Sequence, residues 1–228
     1  YEEPNTFNYW AYLDVDNSVW NKYLLSDQAA FLFTRSGINS AFVPQLAEDL
    51  VQPVQDGATW TYIVNMVRDA RWSDGERVTA RDVVFTLDTC ADLDFERVWK
   101  RFCPDELLSV RMLDELTVQF TFSVEPSIQL WEFGVALVPI MPEHFWKWDP
   151  TSETRKEDLF VKNGLSAPAF GPYVFETYSP GSAIIKRQNP YYYFKDTRIT
   201  EYEDGTWLMQ MPNGRRLQLY GDAQGRVL

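Results

Sequence analysis

The sequence predicts a mixed α/β chain on three observations: a period-two apolar run closed by an Asp-Gly turn, a capped helical segment just after it, and two further strand pairs. Trp60, Tyr62, Val64 and Met66 alternate with Thr61, Ile63 and Asn65, so a strand with one buried face is expected over 60–67. Trp72-Ser73-Asp74-Gly75 reads as a turn, because glycine accepts the positive φ that other residues resist. Thr79 is suited to an N-cap, Asp82 three residues on is its reciprocal acceptor, and Val83, Val84 and Leu87 follow at helical spacing. Leu108–Leu113 and Leu116–Phe122 flank Asp114-Glu115 as a β-hairpin, with Val118, Phe120 and Phe122 on one face. Pro126 opens a helix expected to run through Ile128, Leu130, Trp131 and Phe133. The lone His144 follows Pro142 in a short helix start and is expected to be a structural surface residue. A polar connection over 149–163, with one short helix, ends at Ala167-Pro168-Ala169. A second hairpin, Tyr173–Tyr178 with Ala183–Gln188, turns at Pro180-Gly181, a pair that fits the centre of a type II turn. Asp204-Gly205, Asn213-Gly214 and Gly221-Asp222 then punctuate three short runs and predict a β-meander over 201–228.

At 228 residues, 45% hydrophobic and 24% charged, the chain can bury a core in one or two domains and is not of disordered composition. Aromatic residues are abundant, with 9 Trp, 12 Tyr and 15 Phe; most are expected in the core and a minority along a binding cleft. The formal charge of −12, with no basic run to offset it, excludes nucleic acid and anionic membrane surfaces as partners. One histidine and two cysteines are too few for a transition-metal site, so neither metal nor cofactor is expected. In an exported chain Cys90 and Cys103 permit one disulfide; two buried thiols are the alternative. No apolar run is long enough to span a bilayer, and the start at Tyr1-Glu2-Glu3-Pro4 leads to the expectation that an export signal has been removed.

Several short elements, taken in order, carry a family resemblance. They are Glu3-Pro4-Asn5-Thr6-Phe7-Asn8, Pro44-Gln45-Leu46-Ala47-Glu48, and Asp74-Gly75 followed by Thr79-Ala80-Arg81-Asp82-Val83-Val84-Phe85. Phe170-Gly171-Pro172-Tyr173, Pro180-Gly181-Ser182 and Asn189-Pro190-Tyr191 complete the series. Together they resemble the family 5 extracellular solute-binding proteins, the dipeptide, oligopeptide and nickel receptors of ABC importers. The first element departs from that pattern, with Phe7 in place of Leu and Tyr9 in place of Pro.

The resemblance implies a type II periplasmic-binding-protein-like clamshell whose first lobe carries an inserted subdomain. Residues 1–40 with 167–228 are expected to form the ligand-side subdomain, and 41–166 the α/β insertion. The second lobe, which follows the Asn-Pro-x-Tyr element in the family, is expected to be absent. The implied function is capture of a peptide or similar small solute in an interlobe cleft, without catalysis. The implied partners are a membrane permease and, through the exposed half-cleft, a second copy of the chain. The implied location is periplasmic or extracellular, with lipoprotein anchoring in a longer parent. Asn8, Tyr9 and Trp10, placed near the end of the first strand, and Trp131 are the expected ligand-binding residues.

The alternatives are a carbohydrate-active enzyme with paired carboxylates and Trp platforms, or a carbohydrate-binding module using the same aromatics. Asp74 and Asp82 already have local roles as turn residue and helix cap, and the firm helix after Thr79 is foreign to an all-β module. The receptor accounts for the order of the motifs.

Overall fold

In the computed structural model, which describes residues 3–15, 18–36, 40–203 and 205–218, the chain begins with a helix where a strand was expected. Asn8 is the cause. Its backbone is extended, and its Oδ1 accepts from the Trp10 and Ala11 N–H groups, which starts helix α1 (Tyr9–Asp14). Ser18 caps α2 (Val19–Leu25) in the same way, accepting from the Trp20 N–H. Strands β1 (Phe33–Arg35) and β2 (Phe42–Pro44) then pair antiparallel, Thr34 opposite Val43, so one hairpin straddles the expected 40/41 boundary.

Strands β3 (Val54–Asp56) and β4 (Thr59–Asn65) open the principal sheet, with Gly57 at φ +60° in the turn between them. The Trp72–Gly75 turn forms as expected, Gly75 at φ +94°, and leads into α3 (Ala80–Asp92). The Asp82 carboxylate returns to the Thr79 N–H at 2.9 Å, the reciprocal half of the capping box. Past Leu87 the helix continues because Cys90 lies on the same buried stripe as Val83 and Leu87.

After α4 (Arg97–Lys100) come β5 (Leu107–Asp114) and β6 (Thr117–Phe122), which complete an antiparallel sheet of order β3-β4-β6-β5. The alternation read from the sequence is realised: Val118, Phe120 and Phe122 are fully buried, opposite Val64, Tyr62 and Trp60 of β4. Each such side chain contributes about 1.5–3 kcal/mol by leaving water.

The α5 helix (Ile128–Trp131) stops short of Phe133, because the chain turns at Gly134, where a Cβ would lie 2.4 Å from the Leu130 carbonyl oxygen. Helices α6 (Glu143–Trp146) and α7 (Arg155–Phe160) follow, α7 inside the polar connection where one short helix was expected. The second hairpin, β7 (Tyr173–Ser179) with β8 (Ala183–Gln188), turns at Gly181, φ +69°. The meander consists of β9 (Arg198–Glu201), β10 (Trp207–Gln210) and β11 (Arg216–Gln218), in the order β11-β10-β9. It begins three residues earlier than the sequence suggested, and its expected Gly221-Asp222 turn lies outside the described residues. Arg215 fastens it to the body: the guanidinium donates to the carbonyl oxygens of Gln45, Ala47 and Glu48. Among the described residues no helix is long and apolar enough to cross a membrane.

Cys90 and Cys103 are joined by a disulfide across 13 residues, tying the end of α3 to the segment after α4. Reduction, or Cys90→Ser with Cys103→Ser, is expected to lower unfolding stability by roughly 2–3 kcal/mol, read as a lower urea midpoint with a somewhat steeper slope as the unfolded chain expands. An unchanged midpoint would mean that α4 is held by its aromatic packing alone.

Candidate solute-binding site

The first three expected ligand residues occupy one turn at the start of α1, and packing has already engaged most of their atoms. Asn8 is 2% exposed, and its Nδ2 lies 2.8, 3.2 and 3.1 Å from the carbonyl oxygens of Leu159, Phe160 and Lys162. With Oδ1 capping α1, the whole amide is spent on backbone groups. Trp10 is fully buried and stacks on Trp99 (centroids 4.6 Å, planes 17°) and Phe95 (5.3 Å, 19°). The Trp99 indole N–H donates to the Trp10 carbonyl oxygen, and Asp14 at the end of α1 accepts from the Glu96 N–H and pairs with Lys156 at 2.8 Å.

Tyr9 differs from its neighbours in that its phenol feels the charge of Arg101. Burial pushes its phenol far above the ordinary tyrosine range; Tyr12 adds to the shift and Arg101 opposes it. The Arg101 guanidinium lies over the Phe102 ring at 4.6 Å and has no hydrogen bond or ion pair among the described residues. Burial lowers its pKa, and the Tyr9 phenol works in the opposite direction. The side chain reaches the surface, and a guanidinium without a counter-ion is suited to receive a carboxylate. Nothing in Trp99-Lys100-Arg101-Phe102 sets Arg101 apart from an ordinary surface arginine; only its placement beside α1 does.

Trp131 is not brought to this turn. It is 3% exposed and stacks face to face on Tyr62 (3.9 Å, 6°), with edge contacts to Phe33, Phe120 and Phe122. Five of the nine tryptophans, Trp10, Trp72, Trp99, Trp131 and Trp146, are buried, so most of the indoles build the core and not an open platform.

The carboxylates weighed for hydrolysis have structural work. Asp82 is buried and accepts from the Thr79 and Glu143 N–H groups, both at 2.9 Å, and from the Trp72 indole at 3.4 Å. Burial raises its pKa and those hydrogen bonds pull against the rise. Asp74 meets His144 Nε2 at 2.7 Å, which pins the Asp-Gly turn to α6. The same turn is bonded to Ala169 through the Ser73 N–H and hydroxyl, so it joins the end of the polar connection to α3.

The sequence model of the bacterial extracellular solute-binding proteins, family 5 Middle, matches residues 41–209. The peptidoglycan-binding protein YepA of Agrobacterium fabrum is 30% identical over 128 residues, 56% of this chain and 19% of that protein. The oligopeptide-binding protein AliA of Streptococcus pneumoniae is 26% identical over 221 residues, 84% of this chain and 32% of that one. Among solved structures, the oligopeptide-binding protein AppA of Bacillus subtilis in complex with a nonapeptide superposes with a TM-score of 0.65 at 20% identity. That match covers 83% of this chain and 35% of AppA, and at such identity it is a likeness of fold. The first curated relatives are matched over 19% of their length, so the chain spans about a fifth of them.

Proposed function

The chain belongs to the family 5 bacterial extracellular solute-binding proteins, and from that premise we propose that it is first-lobe material of a receptor that captures a peptide or similar small solute for an ABC importer. The match of the family over 41–209 carries this conclusion. The receptor works by selection and closure, without catalysis, outside the cytoplasmic membrane or anchored to it by a lipid, and delivers its solute to a membrane permease. Residues 1–40 with 167–228 form the solute-side part and 41–166 the insertion. Of Asn8, Tyr9, Trp10 and Trp131, all four buried, Tyr9 lies in the wall behind Arg101, which meets the solute, while Asn8, Trp10 and Trp131 hold that wall in place. Two observations support this division of labour: the Asn8 amide and the Trp10 ring are engaged in the fold, and the Arg101 guanidinium is not.

A thermal-shift screen of the chain against di- and oligopeptides, their C-terminal amides, sugars and Ni²⁺ tests the proposal. A solute that binds only the folded state at about a hundred times its Kd stabilises by about 2.7 kcal/mol, which a melting curve resolves. The expected result is a rise with carboxylate-ended peptides that is smaller with the amides, and about tenfold weaker binding in Arg101→Ala. If no solute raises the melting point, the receptor function fails for this chain. If peptides bind and Arg101→Ala is neutral, the receptor stands and the anchor lies elsewhere.

A further inference from the structure

Away from α1, a cavity of about 230 Å³ opens between β2, the loop before β3, the middle of β4 and the segment leading into α5. Phe42 and Pro126 give its wall apolar surface, and Tyr62, Glu125, Trp131 and Glu132 give it polar groups. Three of those groups have no use within the fold. Glu125 and the Tyr62 hydroxyl have no hydrogen bond or ion pair among the described residues, and the indole N–H of the buried Trp131 is likewise unpartnered. Glu132 is half engaged: its Oε2 lies 3.2 Å from Arg35 Nη2, and Arg35, which rests over Phe133 and Phe42, is outside the cavity wall.

The Tyr62 phenol is pushed up to about 12, chiefly by burial and then by Glu132 and Glu125, so both carboxylates act on the hydroxyl and it stays neutral. The wall as a whole therefore presents negative charge and oxygen acceptors around a short apolar slot.

We propose that this cavity binds a primary alkylammonium group, carried either by a free amine or by a lysine side chain. An ammonium is a compact charge with three donors, which Glu125, Glu132 and the Tyr62 oxygen can accept. Its alkyl stem lies against Phe42 and Pro126, the arrangement in which amphipathic cations bury carbon and keep the charge at the mouth. A volume of about 230 Å³ falls below the roughly 300–1,000 Å³ of drug-sized pockets and fits one short chain. The site is separate from the Tyr9–Arg101 region, and it stands or falls independently of the receptor function.

Calorimetric titration of the 228-residue chain at low salt with n-butylammonium, Nα-acetyl-lysine amide and n-butanol tests it. The expected result is binding of the cations and none of butanol. Binding of butylammonium alone assigns a free amine; binding of the lysine derivative as well assigns a side chain as an acceptable source. Glu125→Gln, at an exposed position that leaves the core untouched, is expected to weaken binding about tenfold. Glu153→Gln, exposed and outside the cavity, is expected to leave it unchanged. The proposal is overturned if neither cation binds, if butanol binds as tightly, or if Glu153→Gln weakens binding as much as Glu125→Gln, which would reduce the effect to diffuse attraction by the −12 charge.

Discussion

Trp10→Ala is expected to cost about 4 kcal/mol of unfolding stability, the largest loss of any single truncation considered for this chain. The indole is fully buried and stacks on both Trp99 and Phe95, with Phe85 at its edge. Its removal takes away the transfer free energy of a large ring and leaves a cavity lined by other rings, which are stiff and collapse poorly into the space. The loss also spreads, because the Trp99 indole N–H is aimed at the Trp10 carbonyl oxygen and Glu96 is bonded to Asp14 at the far end of α1. Urea unfolding followed by far-UV circular dichroism measures it. Trp10→Phe, which keeps a ring, should recover about half of the deficit. If Trp10→Ala shifts the midpoint by less than the equivalent of about 1 kcal/mol, the stack is not the keystone between α1 and α4.

Gly164→Ala is the second large effect, at about 3 kcal/mol or more. A Cβ on Gly164 would lie 1.7 Å from the Phe7 carbonyl oxygen and 2.5 Å from its carbon, and both are backbone atoms that no rotamer change can move. The N-terminal segment must then lift away from the loop after α7. In doing so it pulls Asn8 from the Leu159, Phe160 and Lys162 carbonyl groups and leaves buried acceptors unpaired. Gly57→Ala is the control, since the space around that position is open and the cost there comes only from its positive φ. The expected order of urea midpoints is wild type, then Gly57→Ala, then Gly164→Ala. Equal midpoints for the two variants would show that the Phe7–Gly164 approach relaxes freely.

Much of the architecture was legible in the residues because it rests on local chemistry. Phe120 and Phe122 alternate with Gln119 and Thr121 at the strand period, and both phenylalanines are fully buried. Asp82 three residues after Thr79, and Gly181 after Pro180, mark a helix start and a turn that need no distant partner. Helix α1 is the exception: Asn8 is a good cap, whereas the resembled family pattern leads into a strand at this place, and the local residue prevails.

The candidate site was less legible. Asn8, Tyr9 and Trp10 share one turn, but the side on which each one points is set by what packs there: Phe95, Trp99 and the carbonyl groups of 159–162 come from segments more than eighty residues away. Arg101 left no signal in the sequence, since an arginine lacks a counter-ion only relative to groups that the fold keeps away from it.

By itself the sequence determined the family, the alternating strands, the capped helix α3, the two hairpins and the net negative charge, since these follow from residue type, spacing and summed charge. The tertiary structure alone decided which tryptophans are core, that the Cys90–Cys103 bridge closes, that Arg215 clamps the meander, and that Glu125 and Tyr62 face one cavity. Burial and pairing are relations between distant segments: a side chain's environment depends on long-range contacts, whereas its propensity belongs to its immediate neighbours along the chain.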